Sequence, residues 1–551
     1  MKLSLALSGA VTILNVNGYT ITDTPFDSRE ATIDSVHTAL YSGTASCRDV
    51  VSSFIARIEA FNPTVNAVIS LNPKALDIAD GFDAQIASGN ATGSLFCIPV
   101  LLKDNYNTVD MPTTGGCLAL SENQPTQDAP AVTALKTAGA IILGKTNLHE
   151  LALEGLSVSS LRGQSVNPYD HTRTPGGSSG GTGAAIATSF AVFGTGKGHQ
   201  CTDTVNSLRS PASANSLFSF RPTRGLMSRA GIIPISTTQD NIGPFARNVK
   251  DLAVGLTVMA SVGYNPNDNT TSMIPPSSVG IDYSADIFGG TLKGLRFGLI
   301  EGFFNQTSSE ETTPVNDVMK NMVSVLESAG ATVVSINETV YNDTAIAALD
   351  VQTSENREDM DAYLQMPSLS GNRPSTLAEL YSSGKFLVIP GQYNFVDTSL
   401  RSSTSNSSYA PAKLGIQNLT TVLSTTFASN KVDAIIYPEQ KNLVVKIGSP
   451  SQSGRNGILA VLTGFPVVTV PAGFSPPTGD APIGVPIGME ILGLPWSESK
   501  LFNIAAHISD LTHVRRMPSF ANGSVEVSSY SSVPTITPNT TIPSAYPIGV
   551  L

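Results

Sequence analysis

The chain has 551 residues, of which 41% are hydrophobic and 14% are charged, and its formal net charge is −11. This length allows one large domain or two or three ordinary ones, and the hydrophobic content excludes a chain that is disordered throughout. The 32 lysines and arginines are scattered singly, so the sequence predicts no basic surface for nucleic acid.

The N-terminus has the pattern of a secretory signal. Met1 and Lys2 precede an apolar run at 3–14, and small and polar residues follow as far as Gly18. The pattern predicts a signal peptide at 1–18 and a protein of the secretory pathway; a first strand of a cytoplasmic enzyme is the alternative. Nine Asn-x-Ser/Thr motifs weakly favour a secreted glycoprotein, because a chain rich in Ser and Thr contains several by chance. These motifs begin at Asn90, Asn269, Asn305, Asn337, Asn342, Asn406, Asn418, Asn522 and Asn539.

Helical and strand-like patterns alternate along most of the chain. Residues 27–87 place apolar side chains at helical spacing and are predicted to be helices. From residue 97 onward, short apolar runs alternate with helical patterns, which predicts an α/β fold with a mixed β-sheet between layers of helices. The predicted strands are 97–102, 140–143, 295–300, 331–336, 434–437 and 467–470, and the predicted helices are 131–137, 315–328 and 500–508.

The remaining segments are predicted to lie outside this core. Residues 263–293 and 366–412 are rich in Ser, Asn, Pro and Gly and are predicted to be surface excursions. The tail at 519–551 is rich in Ser, Thr and Pro and is predicted to be extended or disordered. The small-residue run at 180–196 suits a packed core helix better than a lipid environment, so no membrane span is predicted.

Cysteine and histidine usage indicates neither a disulfide scaffold nor a metal site. The six histidines are dispersed, and the cysteines show no CxxC or Cys/His ligand spacing. We therefore expect no metal site. The four cysteines are Cys47, Cys97, Cys117 and Cys201.

Two glycine-rich motifs match known signatures in an unsuitable context. Residues 139–146 fit the P-loop pattern, yet a helical pattern precedes them and their middle residues form a strand-like apolar run. Residues 176–180 fit the nucleophile elbow of α/β-hydrolases, which needs a strand directly before it. The preceding residues 167–175 are turn formers. Both interpretations are therefore disfavoured.

A lysine and two groups of hydroxyls support a third interpretation. Lys103 ends the apolar run at 97–102, and serines follow in the segments 176–181 and 203–209. Burial lowers the pKa of a lysine because it disfavours the charged form, and the neutral amine can then deprotonate a hydroxyl. Taken singly, each feature also fits a lysine that reaches solvent or a flexible glycine loop.

In their order along the chain, these motifs resemble those of the amidase signature family, and in particular its secreted eukaryotic members. The resemblance extends from about residue 27 to about residue 515 and implies a single amidase signature domain at 27–515. It also implies an enzyme that hydrolyses a carboxamide to a carboxylate and ammonia or an amine, without a cofactor. The matching segments are 101–105, 111–114, 144–147, the Gly-Ser-Ser-Gly loop, 231–234, 239–244 and 465–473.

The resemblance further implies a Ser-Ser-Lys triad. Lys103 is then the neutral general base, and Ser207 is the nucleophile. Ser178 relays the proton between them and follows a cis peptide bond from Gly177. The other implied site residues are the oxyanion-hole backbone of Thr204, Val205, Asn206 and Ser207 and the supporting side chains of Asp203 and Arg209.

Three departures from the family pattern stand near this site. Val205 and Asn206 replace the usual Gly-Gly before the nucleophile, which restricts the backbone of the oxyanion loop. Cys97 and Cys117 replace small residues, and a buried cysteine can fill such space. Residues 197–201 are additional to the family pattern. Three explanations stay open: the residues bulge harmlessly, displace Asp203 or reflect an error in the predicted reading frame.

Two alternatives to a free-standing amidase stay open. One is the glutaminase component of a tRNA amidotransferase, which acts with a partner subunit. The other is a catalytically impaired relative that binds amides, because of the additional residues at 197–201. The expected substrate is a small-molecule amide, and its identity depends on variable loops such as 350–400.

Overall fold

The computed structural model describes residues 26–198, 206–537 and 539–546. Helices and strands alternate along these residues, together with short 3-10 turns. The strands are β1 (Val68–Leu71), β2 (Ile98–Lys103), β3 (Gln124–Pro125), β4 (Ala140–Thr146), β5 (Val158–Ser159), β6 (Gly163–Gln164), β7 (Phe193–Gly198), β8 (Phe218–Arg221), β9 (Asn241–Ala246), β10 (Arg296–Ile300), β11 (Thr332–Ile336), β12 (Leu369–Ser370), β13 (Ala434–Pro438), β14 (Val467–Phe474) and β15 (Pro486–Leu492). The α-helices are α1 (Ile33–Tyr41), α2 (Cys47–Val65), α3 (Ala75–Ala87), α4 (Pro130–Thr137), α5 (Gly180–Ala187), α6 (Arg209–Ala214), α7 (Val249–Ala260), α8 (Thr313–Ser328), α9 (Asp343–Ala347), α10 (Gln352–Leu364), α11 (Leu377–Ser382), α12 (Pro390–Arg401), α13 (Tyr409–Asn430), α14 (Ile458–Thr463) and α15 (Glu498–Thr512).

One large mixed sheet of eleven strands, flanked by helices, forms the centre of the fold. Its strand order is β1-β4-β2-β7-β9-β8-β14-β15-β13-β10-β11. β2 runs parallel to both of its neighbours, whereas the pairs from β7 to β13 are antiparallel. The α/β architecture predicted from the sequence is therefore confirmed.

The strands nearest the site are buried along their whole length. Every residue of β2 and β4 is buried, as expected of parallel strands that are covered on both faces. The P-loop-like residues form β4 itself, after Gly139 ends α4 with a φ of +94°. The elbow-like residues follow a loop and lead into α5 at Gly180. Neither segment therefore has the structural context that its signature requires.

The predicted strands and helices after residue 97 all have counterparts. Of two other predictions, the helices at 27–87 are confirmed in part, as α1, α2 and α3, and the surface excursion at 366–412 is wrong. The helices predicted at 27–87 are interrupted by β1, whose four residues are too few to show a strand pattern. The segment 366–412 is not a surface excursion, because it contains α11 and α12. Leu380 and Phe395 on these helices are buried, although their polar neighbours hid the helical spacing.

Cys97 is not a lone cysteine that fills space. Its sulfur is bonded to that of Cys47, with the two Cα atoms 5.9 Å apart. Cys47 is the first residue of α2, and Cys97 directly precedes β2. The bond therefore fixes the start of the strand that ends in Lys103. Cys117, in contrast, is a free buried thiol, which agrees with the space-filling role suggested for it.

The additional segment at 197–201 begins inside the sheet. The backbones of Lys197 and Gly198 pair with Ile242 and Asn241 of β9. These two residues therefore lengthen β7, and residues 199–201 lie outside the described residues. In the described part of the chain, no helix is both long and apolar enough to cross a membrane.

Candidate active site

Lys103, Ser178 and Ser207 form a continuous hydrogen-bonded line. Lys103 Nζ donates to Ser178 Oγ at 2.7 Å, and Ser178 Oγ donates to Ser207 Oγ at 2.7 Å. All three side chains are fully buried. Lys103 ends β2, Ser178 lies in the loop before α5, and Ser207 lies just before α6. Lys103 is thus linked to Ser207 through Ser178, although the three residues lie on different segments of the chain.

The loop that carries Ser178 needs glycine at two positions. Gly176 has a φ of +70°, and a Cβ there would come within 2.8 Å of Ser210 Oγ. A Cβ at Gly177 would come within 2.8 Å of the Gly155 backbone. The peptide bond between Gly177 and Ser178 is cis. The glycines therefore let the chain pass close to its neighbours while it presents Ser178 to Lys103.

A buried ion pair supports the end of β2, where Lys103 stands. Lys145 Nζ lies 3.3 Å from Asp104 Oδ1 and donates to the Tyr106 carbonyl at 2.8 Å. Asp104 also accepts from the backbone N–H of Thr114 at 3.2 Å. Burial raises the pKa of Asp104, and the Lys145 ammonium opposes that rise. The residue after the base is therefore held by a charge pair inside the core.

The segment 350–400, which is expected to shape the substrate pocket, reaches the site through one histidine. The backbone N–H of His149 donates to the Ser178 carbonyl at 3.0 Å. Its ring nitrogen Nε2 lies 2.9 Å from Nε2 of Gln392 on α12. Burial lowers the pKa of His149 to about 3, so the ring is neutral at physiological pH. α12 thus contacts the residue that supports the bridging serine.

Two other carboxylates behind the nucleophile hold the residues on either side of it. Asn206 Nδ2 makes a short hydrogen bond to Glu439 Oε1. Arg209 donates to Glu490 Oε2 at 2.7 Å and to the Gly457 carbonyl at 2.9 Å. A Cβ at Gly457 would lie only 1.3 Å from Asn206 Oδ1. Asn206, where the family resemblance implies a glycine, is therefore packed against a glycine on another segment.

The two carboxylates differ in their protonation. Burial and then the nearby charge of Glu490 raise the pKa of Glu439 well above its usual range. Burial also raises the pKa of Glu490, but Arg209 opposes that rise. The pKa shifts therefore favour the charged form more at Glu490, beside Arg209, than at Glu439, beside Asn206.

The structure brings together most of the residues that the sequence singles out. Lys103, Ser178 and Ser207 form the line, and Arg209 and Asn206 flank it. The proposed oxyanion residues Thr204 and Val205, and the supporting Asp203, lie outside the described residues.

Sequence reasoning did not identify the groups that support the line. Glu490 is an acidic residue inside the apolar strand β15, and Lys145 is a basic residue inside β4. A charge in the middle of a buried strand is a signal that could have found both, because such a charge needs a partner. Glu439 directly follows β13 and carries a weaker signal of the same kind. In the described part of the chain, no cluster of His, Cys, Asp and Glu could hold a metal ion.

Comparison with known proteins identifies the family. A family model described as Amidase matches residues 49–502. The chain belongs to the amidase signature family. Its members hydrolyse amide C–N bonds, so this chain is an enzyme of that hydrolase class.

The family relatives include a peptide amidase and components of an amidotransferase. A glutamyl-tRNA(Gln) amidotransferase subunit from Heliobacterium modesticaldum is 31% identical over 499 residues, which cover 87% of this chain and 96% of that protein. The crystal structure of a peptide amidase from Stenotrophomonas maltophilia has a TM-score of 0.75 at 30% identity, over 89% of this chain and 99% of that one. The glutamyl-tRNA(Gln) amidotransferase subunit from Thermotoga maritima has a TM-score of 0.66 at 24% identity, over 91% of this chain and 99% of that one, and it shares the fold. These bacterial relatives give no support to a particular resemblance to secreted eukaryotic members.

Proposed function

We propose that the chain hydrolyses carboxamides through an acyl-enzyme on Ser207. The observation that carries this proposal is the unbroken line from Lys103 Nζ through Ser178 Oγ to Ser207 Oγ, with 2.7 Å at each step. These distances suit proton transfer between heavy atoms. An intact line also supports an active enzyme over a relative that only binds amides.

In the proposed reaction, both hydrogen bonds of the line first reverse, so that Ser207 donates to Ser178 and Ser178 donates to the neutral amine of Lys103. The amine then takes the proton of Ser178 while Ser178 takes that of Ser207. Ser207 Oγ bonds to the amide carbon, and a tetrahedral oxyanion forms. The proton then returns along the line to the leaving nitrogen, and the C–N bond breaks to release ammonia or an amine. A water attacks the acyl-enzyme by the same route and releases the carboxylate.

The backbone N–H groups of the loop at 204–207 are proposed to stabilise the oxyanion. Such donors work best when they are fixed before the reaction, because they then need no reorganisation as charge develops. Asn206 is fixed by its hydrogen bond to Glu439, and Arg209 is fixed by Glu490. These contacts are proposed to take the place of the geometry that Gly-Gly gives to other members of the family.

The substrate class has two candidates. The curated relatives are subunits of a glutamyl-tRNA amidotransferase, and they favour a glutaminase that delivers ammonia to a partner subunit. This glutaminase, which the sequence analysis left open as an alternative, has the more direct support from the named relatives. The solved peptide amidase covers as much of the chain, and it favours a free-standing enzyme that acts on peptide amides.

The test is ammonia release by the purified chain from a panel of amides. The panel contains glutamine, a C-terminal peptide amide, an aliphatic amide and an aryl amide. Turnover of glutamine alone supports the amidotransferase glutaminase, and turnover of the other amides without glutamine supports the free-standing amidase. The proposal requires that Ser207→Ala abolish release, whereas Ser53→Ala, which removes a buried hydroxyl from α2, retains it.

Release that survives in Ser207→Ala would contradict the nucleophile assignment. A folded wild-type chain that turns over none of the four amides, alone or with an amidotransferase partner subunit, would contradict the proposed function as a whole.

A further inference from the structure

The disulfide between Cys47 and Cys97 bears on where the chain matures. Both cysteines are fully buried, and their Cα separation of 5.9 Å lies in the range that disulfides normally adopt. Disulfides of this structural kind form in oxidising compartments, whereas the cytosol keeps thiols reduced. Because neither sulfur is accessible, this bond is not placed for catalytic thiol exchange. It therefore points to an oxidising compartment.

A second and independent observation concerns the asparagines. Of the 23 described asparagines that are outside an Asn-x-Ser/Thr motif, 14 are buried. None of the nine asparagines within such a motif is buried. Eight of them are exposed, and Asn305 is half-buried. The motifs are thus confined to places where a large attached group can extend into solvent.

The side-chain amides of these asparagines are also available for a bond to sugar. Among the described hydrogen bonds, Asn90 alone of the nine donates from Nδ2, to the exposed Ser88 Oγ at 3.1 Å. Buried asparagines such as Asn66 and Asn167 instead donate from Nδ2 to backbone carbonyls. A glycan on an exposed motif therefore removes no interaction that holds the core together.

We infer that the chain matures in a eukaryotic secretory compartment, where it acquires N-linked glycans on its eight exposed motifs and the Cys47–Cys97 disulfide. The glycan reaction joins Asn Nδ2 to the anomeric carbon of an oligosaccharide. The amide loses one proton, and a lipid pyrophosphate leaves. In the disulfide reaction, the two thiols give up two protons and two electrons to an oxidised disulfide-exchange catalyst, which becomes a dithiol. The eight asparagines are Asn90, Asn269, Asn337, Asn342, Asn406, Asn418, Asn522 and Asn539.

This inference is independent of the substrate proposal, because neither feature belongs to the catalytic line. It does bear on the choice between the two candidates. tRNA is charged outside the secretory pathway, so a chain that carries glycans and a disulfide is separated from that substrate. The free-standing amidase is the candidate compatible with this maturation.

The experiment expresses the full chain, with its own N-terminus, in a eukaryotic cell. N-glycosidase digestion in H₂¹⁸O converts each glycosylated asparagine to a labelled aspartate, which mass spectrometry locates. We expect the label at the majority of the eight exposed motifs. Asn337→Gln should remove one glycan-sized step from the electrophoretic mobility, and Asn321→Gln, which changes an exposed asparagine outside any motif, should not.

The same sample tests the disulfide. After denaturation without reductant, an alkylating reagent should label Cys117 and leave Cys47 and Cys97 unlabelled until a reductant is added. Unmodified asparagines at all eight motifs would overturn the inference. Alkylation of Cys47 and Cys97 to the same extent as Cys117 would overturn it equally.

Discussion

At the base end of the catalytic line, one cation faces one carboxylate: Lys145 lies beside Asp104, next to Lys103. At the nucleophile end, two carboxylates, Glu439 and Glu490, lie behind Ser207, and Arg209 pairs with Glu490. The base end is therefore held by a balanced charge pair. The nucleophile end is held partly by the ion pair of Arg209 and Glu490 and partly by the hydrogen bond from Asn206 to Glu439.

The difference shows why the site can tolerate a substitution beside the nucleophile but not beside the base. The charges around Lys103 must stay constant, because the protonation state of Lys103 determines whether it can act as the base. The nucleophile loop must keep its position, and hydrogen bonds from Asn206 and Arg209 can provide that without a glycine pair. Asn206, where the resemblance leads us to expect a glycine, therefore lies at the end where packing can compensate.

The largest expected effects come from the two buried lysines of the base end. Lys103→Met should lower kcat by about 10² to 10⁴, because the general base is lost. It should leave the free energy of unfolding almost unchanged. Lys145→Met leaves the Asp104 carboxylate buried without its cation, and should lower the free energy of unfolding by about 3 to 5 kcal/mol. Denaturant unfolding and kcat, measured for both variants, separate the two roles. If the two variants lost kcat equally and had nearly equal stability, the two lysines would not have separate roles.

The disulfide should be the next largest contribution, and it also acts on the base end through the start of β2. The double variant Cys47→Ala, Cys97→Ala opens a loop with a sequence separation of 50 residues. In the chain-entropy model this costs about 4 kcal/mol. Denaturant unfolding with and without reductant measures it: reductant should destabilise the wild type and leave the double variant unchanged. Cys117→Ala is the matched control, and an equal effect of reductant on the double variant would exclude the disulfide as the cause.

A smaller effect concerns pH and Glu150, a buried residue that accepts hydrogen bonds from the backbone of Ser160 and Leu387. Burial raises the pKa of Glu150 to about 7 from a usual value of 4.5. The folded state therefore binds more protons than the unfolded state between these two values, and stability falls as pH rises through that window. Between pH 5.5 and 8 the loss is about 2 kcal/mol. Glu150→Gln should lack this part of the pH dependence. Parallel pH profiles of unfolding for variant and wild type would show that Glu150 is not the group involved.

The smallest effect tests the nucleophile end. Glu439→Gln should retain kcat, since the side-chain amide oxygen can accept the same hydrogen bond from Asn206. Glu439→Ala should lower kcat by about tenfold in the wild-type background and hardly at all in Asn206→Gly, which no longer needs the contact. Steady-state kinetics of this double-mutant cycle measure the coupling. Additive losses would mean that Glu439 supports the site by another route.

The architecture and the catalytic line could be predicted from the sequence, but the groups that support the line could not. Apolar runs such as 97–102 and 467–470 mark buried strands directly, because both faces are covered. Lys103, Ser178 and Ser207 follow from motifs in a known order. The supporting pairs do not, since Asp104 and Lys145 or Arg209 and Glu490 meet only when distant strands align. The Cys47–Cys97 bond was not predicted for the same reason.

Covalent labelling tests the central claim most directly. The wild-type chain is treated with a fluorophosphonate probe, which reacts with an activated serine, and the modified peptide is sequenced by mass spectrometry. The proposed line predicts one adduct, on Ser207, at a rate that falls strongly in Lys103→Met. An adduct on Ser178, or labelling of Ser207 that is as fast in Lys103→Met as in the wild type, would contradict the relay from Lys103 through Ser178 to Ser207.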